Sequence, residues 1–193
     1  MSNNSAVILV SGGMDSATAV YEAIEQGYEP YFLHTSYGQR TEAKEYACAK
    51  ALAEAVDAVD FLHVETGHLA QIGASSLTDE EMDVADADLD SDEIPTSYVP
   101  FRNANLLSMA TSYAEATDSE ALFIGAHSED FSGYPDCRPA FFDAFQHVID
   151  VGTKPETAIE LHPPFVEWSR PETAERGLAA GVPFHVPWVC YRE

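Results

Sequence analysis

Ser11-Gly12-Gly13-Met14-Asp15-Ser16 places two adjacent glycines, two hydroxyls and one carboxylate within six residues. Adjacent glycines expose consecutive backbone N–H groups with no side chain in the way. A helix opening at Asp15–Ser16 adds the N–H groups that a first turn leaves without acceptors. Together these groups form an anion seat, to which Ser11 and Ser16 add hydroxyl donors. Asp15 cannot favour a bare polyphosphate, so it either caps the helix, holds Mg²⁺, or does both. The Lys-Ser/Thr ending of a Walker A loop is missing, which argues against phosphoryl transfer of that type. Ser-Gly-Gly is also an ordinary turn; the apolar run before it and Asp-Ser after it favour the phosphate seat.

A second polar constellation runs from Phe123 to Arg138, at the end of an apolar run. Ligands of open α/β sheets collect at strand ends. Asp130 and Asp136 suit Mg²⁺ or a purine-like N–H, and Arg138 suits a carboxylate or phosphate held by two parallel hydrogen bonds. Gly125 would let an adenine ring approach the backbone. His127 has the range for proton transfer or serves as a structural hydrogen-bonding group. Cys137 is a weak candidate nucleophile. Arg40 and Arg102 follow turns in a chain with few bases, and form either surface ion pairs or an anion site. Asn103 suits a helix cap. Phe141, Phe142 and Phe145 belong to the core or to a substrate-facing rim. Trp168 and Trp188, beside prolines, read as packing for the C-terminal tail.

The elements that must position these groups follow from patterning. Ala6–Val10 is a continuous apolar run, as in a buried parallel strand, and Asp15–Gln26 is a helix stopped at Gly27. Tyr31–His34 is a second strand, Thr41–Val56 an Ala- and Glu-rich helix, and Phe61–Val64 a third strand. Asn103–Thr117 is a helix followed by the strand Ala121–Ile124, then helices at Pro139–Val151 and Pro171–Ala180. Strand–helix–strand units at this spacing predict one α/β domain over residues 1–193: a doubly wound, mostly parallel, Rossmann-like sheet with helices on both faces. Residues 78–93, dominated by Asp and Glu, read as an irregular acidic excursion.

The 193 residues carry 33 acidic and 9 basic side chains, a formal charge of −24. Charge spread along the chain rather than in a tail suits a salty cytoplasm, because screening relieves self-repulsion. No basic patch offers a nucleic-acid surface. Three cysteines, Cys48, Cys137 and Cys190, lack framework spacing and fit a reducing, cytoplasmic setting. Met1–Ser5 lacks the positive start of a secretory signal, and no apolar run is long enough to span a membrane.

The hexapeptide resembles the SGGxDS loop of the N-type ATP pyrophosphatases, which cleave ATP to AMP and pyrophosphate while adenylating a substrate. Phe131-Ser132-Gly133-Tyr134-Pro135-Asp136-Cys137-Arg138 is more specific and resembles a segment of the 7-cyano-7-deazaguanine synthase family. Tyr37-Gly38-Gln39-Arg40, Pro95–Asn103 and Val189-Cys190-Tyr191 resemble further motifs of that family in the same order. The resemblance implies an adenine nucleotide alpha hydrolase-like fold and a ligase using ATP and Mg²⁺. Its substrates would be 7-carboxy-7-deazaguanine and ammonia, in the queuosine or archaeosine pathway, with a homodimer as a possible assembly. It also implies nucleotide contacts at Val10, Ser11, Gly12, Gly13, Met14, Asp15, Ser16, Ala17, Thr18, Ala19, Val20, Arg40 and Gly125. Catalytic roles would fall to Asp15, Arg102, Asp130, Asp136 and Arg138. Cys190 matches the first cysteine of the family's zinc motif, whose remaining cysteines are expected beyond Glu193. Residues 182–193 thus read as the start of an incomplete zinc-binding tail. Two rivals remain: a tRNA thiolase of the same superfamily, and a non-catalytic nucleotide-binding module.

Overall fold

A computed structural model describes residues 4–73, 75, 96–127 and 134–185. Five parallel strands form one sheet: β1 (Ser5–Leu9), β2 (Glu29–Ser36), β3 (Asp60–Glu65), β4 (Ala121–Ile124) and β5 (Glu160–His162), in the order β3-β2-β1-β4-β5. The helices are α1 (Met14–Glu25), α2 (Glu42–Ala55), the short α3 (His68–Ile72), α4 (Arg102–Ala116), α5 (Pro139–Gly152) and α6 (Arg170–Ala180). A 3₁₀ turn at Pro135–Cys137 precedes α5. Among the described residues, no helix is long and apolar enough to cross a membrane.

β1 is buried at every position, as a continuous apolar run demands of a central strand covered on both faces. Its side chains alternate between two cores. Val7 and Leu9 meet Leu107, Ala110 and Ala114 of α4 and Phe142, Phe145 and Ile149 of α5. Ala6 and Ile8 meet Ala17, Val20 and Ala23 of α1 and Leu52 and Ala53 of α2, together with Val182 beyond α6. The doubly wound reading therefore holds, and of the two places left open for the phenylalanines Phe142 and Phe145 take the core.

The sheet has one strand more than the sequence pattern predicts. β5 is only Glu-Leu-His, and Leu161 alone of the three is buried, so it carries too little apolar signal to stand out. The acidic excursion at 78–93 and all of the tail after His185 lie outside the described residues.

Strand order fixes where a ligand fits. The chain builds β1, β2 and β3 outward on one side, then returns to lay β4 on the other side of β1. The crevice beyond the carboxyl ends of β1 and β4 is the topological switch point, where open α/β sheets bind ligands.

Candidate active site

The loop leaving β1 enters that crevice. Gly12 lies at φ +84°, and a Cβ there would sit 2.3 Å from the Glu45 carbonyl oxygen of α2. Only glycine allows both this backbone turn and the approach to α2. Gly13 then serves as the N-cap of α1 in extended conformation, without a side-chain cap. Ser11 Oγ accepts from the Gly13 N–H at 3.2 Å and lies 3.1 Å from Ser16 Oγ, which donates to the Gly13 carbonyl at 3.0 Å. The two serines therefore shape the seat.

Asp15 does not cap α1, contrary to one of its expected roles. It stands within the first turn, Gly13 holds the N-cap position, and no side chain caps the helix. Oδ1 lies 3.0 Å from His127 Nε2 and Oδ2 lies 3.7 Å from Arg170 Nη1. Arg170 opens α6, whose N-terminus carries a capping box: Ser169 Oγ faces the Glu172 N–H, and the Glu172 carboxylate accepts from the Ser169 N–H at 2.8 Å and from its hydroxyl at 2.7 Å. Motif spacing does not single out Arg170, although Ser169-Arg170-Pro171-Glu172 has the S-x-x-E signature that would have placed it. Arg176 pairs with Glu22 and Glu25 and further ties α6 to α1.

Val10 belongs to the root of this loop. Its N–H donates to the Leu33 carbonyl, and its own carbonyl accepts 2.7 Å from the Nδ1–H of His34. Burial holds the His34 pKa below the ordinary imidazole range. Ala17, Ala19 and Val20 are fully buried and Thr18 nearly so, so they serve the seat by fixing α1 in the core. Met14 is half-buried at the first helical position.

On the far side of the crevice, β4 ends at Ile124 and Gly125 follows. A Cβ on Gly125 would meet the Asp15 carbonyl carbon and oxygen at 2.9 Å and the Ser16 nitrogen at 3.0 Å. That space is occupied by the phosphate loop itself, which gives this glycine a purpose independent of any adenine ring. Trp168 packs against Phe165 at 5.7 Å between ring centres, and its carbonyl lies 3.5 Å from His127 Nδ1. Both contacts place Trp168 against the wall of the site, and the tail after His185 lies outside the described residues.

A second cluster forms where the 36–41 loop, the N-terminus of α4 and the 3₁₀ turn converge. Tyr37, Leu69 and Val99 make a small separate core. Gln39, buried, accepts from the Tyr37 N–H at 2.8 Å and donates to Glu45 at 3.0 Å, so the loop is tied to α2 beside Gly12. Arg40 is exposed on this loop. Arg102 donates from Nη1 to the Tyr37 hydroxyl at 3.0 Å, with its guanidinium carbon 5.7 Å from the ring centre.

Asn103 is not the cap of α4. It lies inside the helix, and Phe101 at φ +56° occupies the N-cap position. A bulky residue in the left-handed region is strained. The capping oxygen comes instead from Asp136, whose Oδ2 accepts from the Asn103 N–H at 2.8 Å. The Asn103 side chain returns two contacts, to the Asp136 carbonyl at 3.0 Å and to Cys137 Sγ at 3.2 Å. Burial pushes the Asp136 carboxyl up from its ordinary range, opposed by the Asn103 N–H bond and by Arg102. Asp136 is thus buried and engaged with helix α4, and Cys137 is a buried thiol rather than a presented nucleophile. Arg138 is exposed at the N-cap of α5. Asp130 and Cys190 lie outside the described residues.

The glycine loop between β1 and α1 is thus tied, through Glu45 and Gln39, to the cluster around Tyr37 and Arg102. These features define a nucleotide-binding α/β protein. The family model for queuosine biosynthesis protein QueC matches residues 5–193. The chain belongs to the QueC family. It is 75% identical over 189 residues to the 7-cyano-7-deazaguanine synthase of Haloarcula marismortui, covering 97% of this chain and 82% of that protein. The 7-cyano-7-deazaguanine synthase of Halobacterium salinarum is 68% identical over 192 residues, covering 100% of this chain and 84% of that one. Among solved structures, NMN synthetase from Francisella tularensis matches with a TM-score of 0.55 at 16% identity, covering 95% of this chain and 64% of that one. The U34-tRNA thiolase NcsA from Methanococcus maripaludis matches with a TM-score of 0.55 at 13% identity, covering 100% and 62%. At such identities these two likenesses concern the fold alone.

Proposed function

We infer that this chain is an ATP-dependent carbon–nitrogen ligase that converts 7-carboxy-7-deazaguanine and ammonia to 7-cyano-7-deazaguanine. The observation that carries this reading is the 75% identity across 97% of the chain to a 7-cyano-7-deazaguanine synthase.

The chemistry explains why ATP is needed. A carboxylate oxygen is a poor leaving group and AMP is a good one. The substrate carboxylate attacks the α-phosphorus of ATP and expels pyrophosphate. Ammonia then displaces AMP, losing a proton, to give the amide. A second ATP adenylates the amide oxygen, again releasing pyrophosphate. Loss of AMP and a proton leaves the nitrile.

Ser11–Ser16 and the first turn of α1 supply N–H and hydroxyl donors to the phosphates, preorganised where negative charge grows on departing pyrophosphate. Arg170 stands beside the seat through its ion pair with Asp15. Asp15 is the residue there suited to Mg²⁺, an ion that takes one or two carboxylates and fills its remaining positions with phosphate oxygens and water. Among the described residues, no three His, Cys, Asp or Glu side chains converge on one point. Arg102 and Arg138 are the cations we assign to the substrate carboxylate, with Asp130 and Asp136 at the base-binding segment.

The test is AMP release on mixing the chain with Mg-ATP. Release should require the deazapurine acid, and ammonium should carry turnover on to amide and nitrile. AMP formed without the acid, or none formed with it, would refute the reading.

A further inference from the structure

His127 stands three residues past the end of β4 with no exposed surface. Its ring packs 6.0 Å from that of Phe165. Placing an imidazole in such a site costs solvation of its two nitrogens unless oxygen or nitrogen partners face them. Nδ1 lies 3.5 Å from the Trp168 carbonyl, and Nε2 lies 3.0 Å from Asp15 Oδ1, close but outside hydrogen-bond alignment. The contact with Asp15 crosses the switch-point crevice, from the β4 side to the β1 side. It is reinforced two residues earlier in the chain, where Gly125 brings the β4 exit against the Asp15–Ser16 backbone.

Asp15 needs such a contact. Its carboxylate sits at the mouth of an anion seat, where its direction decides whether it repels the phosphates or faces a cation bound to them. A short side chain in a first helical turn rotates freely unless something fixes it. Arg170, half-exposed and 3.7 Å away, is a loose constraint. His127, buried and therefore limited in its own motion, stands closer, at 3.0 Å, although the two atoms are not aligned as a hydrogen bond.

We propose that His127 is a positioning residue for the ligase reaction, fixing the direction of the Asp15 carboxylate in the phosphate seat through Nε2. The proposal rests on the nucleotide-binding reading of that seat.

Three substitutions of His127 in the full chain test it. In His127→Gln the amide reaches the place of Nε2; in His127→Asn it reaches only that of Nδ1; His127→Phe keeps the ring volume and loses both. The Gln variant should stay within a few-fold of wild type. The Asn and Phe variants should lose roughly 100-fold in kcat, the scale of an ångström-sized misplacement in a catalytic constellation. The KM for the deazapurine acid should not change. Calorimetry with a non-hydrolysable ATP analogue should give the same ranking in affinity. Rescue by Asn as good as by Gln would assign His127 to anchoring Trp168 and overturn the proposal. So would a folded Phe variant with wild-type kcat. If the wild-type chain binds the analogue without ligase turnover, the reaction assignment fails alone, and the affinity ranking still decides for or against His127. A wild-type chain that bound no analogue would sink both.

Discussion

Replacing Gly125 with alanine should separate the two strands that build the phosphate seat. The added Cβ would stand 2.9 Å from the Asp15 carbonyl carbon and oxygen and 3.0 Å from the Ser16 nitrogen. These are backbone atoms at the start of α1, so no flexible side chain can yield. Reaching the 3.4 Å of ordinary contact requires the β4 exit and the loop to part by about 0.5 Å. Overpacking of this kind costs about 1–3 kcal/mol, or roughly 2–12 °C in melting midpoint for a chain of this size. The same shift moves the His127–Asp15 contact and the loop hydroxyls, so kcat should fall about tenfold or more. Gly152→Ala is the matched control, because a Cβ there meets nothing within 4 Å. Differential scanning fluorimetry and steady-state AMP release measure the two effects. If Gly125→Ala matched Gly152→Ala in both, the close approach of β4 to the loop would have no functional consequence, and the reasoning would fail.

Asp136 titrates above the ordinary carboxylate range because it is buried, so the folded chain binds its proton more tightly than the unfolded chain. Its contribution to stability therefore falls as pH rises from the ordinary carboxylate range through the raised folded value. Asp136→Asn should gain on wild type across that window in chemical denaturation; a pH-independent difference would contradict the sign. Arg138→Ala should raise the KM for the deazapurine acid about tenfold with little change in melting, because the residue is exposed; normal kinetics would remove it from the site. With a formal charge of −24, thermal midpoints should rise steeply from low to molar KCl, and a flat response would show that self-repulsion does not limit stability.

Much of the fold is visible in the chain itself. β1 announces itself because a strand buried on both faces has to be apolar throughout, and the loop after it because two glycines stand between that run and a helix start. The interior helices follow from their apolar spacing, and their ends agree with the structure to within a residue or two. What the pattern hides depends on strand order. His127 and Arg170 meet Asp15 only because β4 lies beside β1 and α6 packs along α1, and no local spacing encodes either fact. Asp136 shows the same. Polar density marks the segment, but nothing local shows that its Oδ2 accepts from a backbone N–H 33 residues earlier, where it closes a helix that lacks a cap of its own. β5 escaped because three residues with one buried side chain carry no periodicity.

The central claim, that this phosphate seat drives nitrile formation from a carboxylate, is tested most directly by product analysis. The chain should be incubated at high salt with 7-carboxy-7-deazaguanine, ¹⁵N-ammonium and Mg-ATP, and the products followed by mass spectrometry. The account predicts 7-cyano-7-deazaguanine carrying the label in its nitrile, with two AMP formed for each nitrile and the amide as a transient. Nitrile without label, ADP in place of AMP, or ATP turnover that leaves the acid unchanged would contradict it.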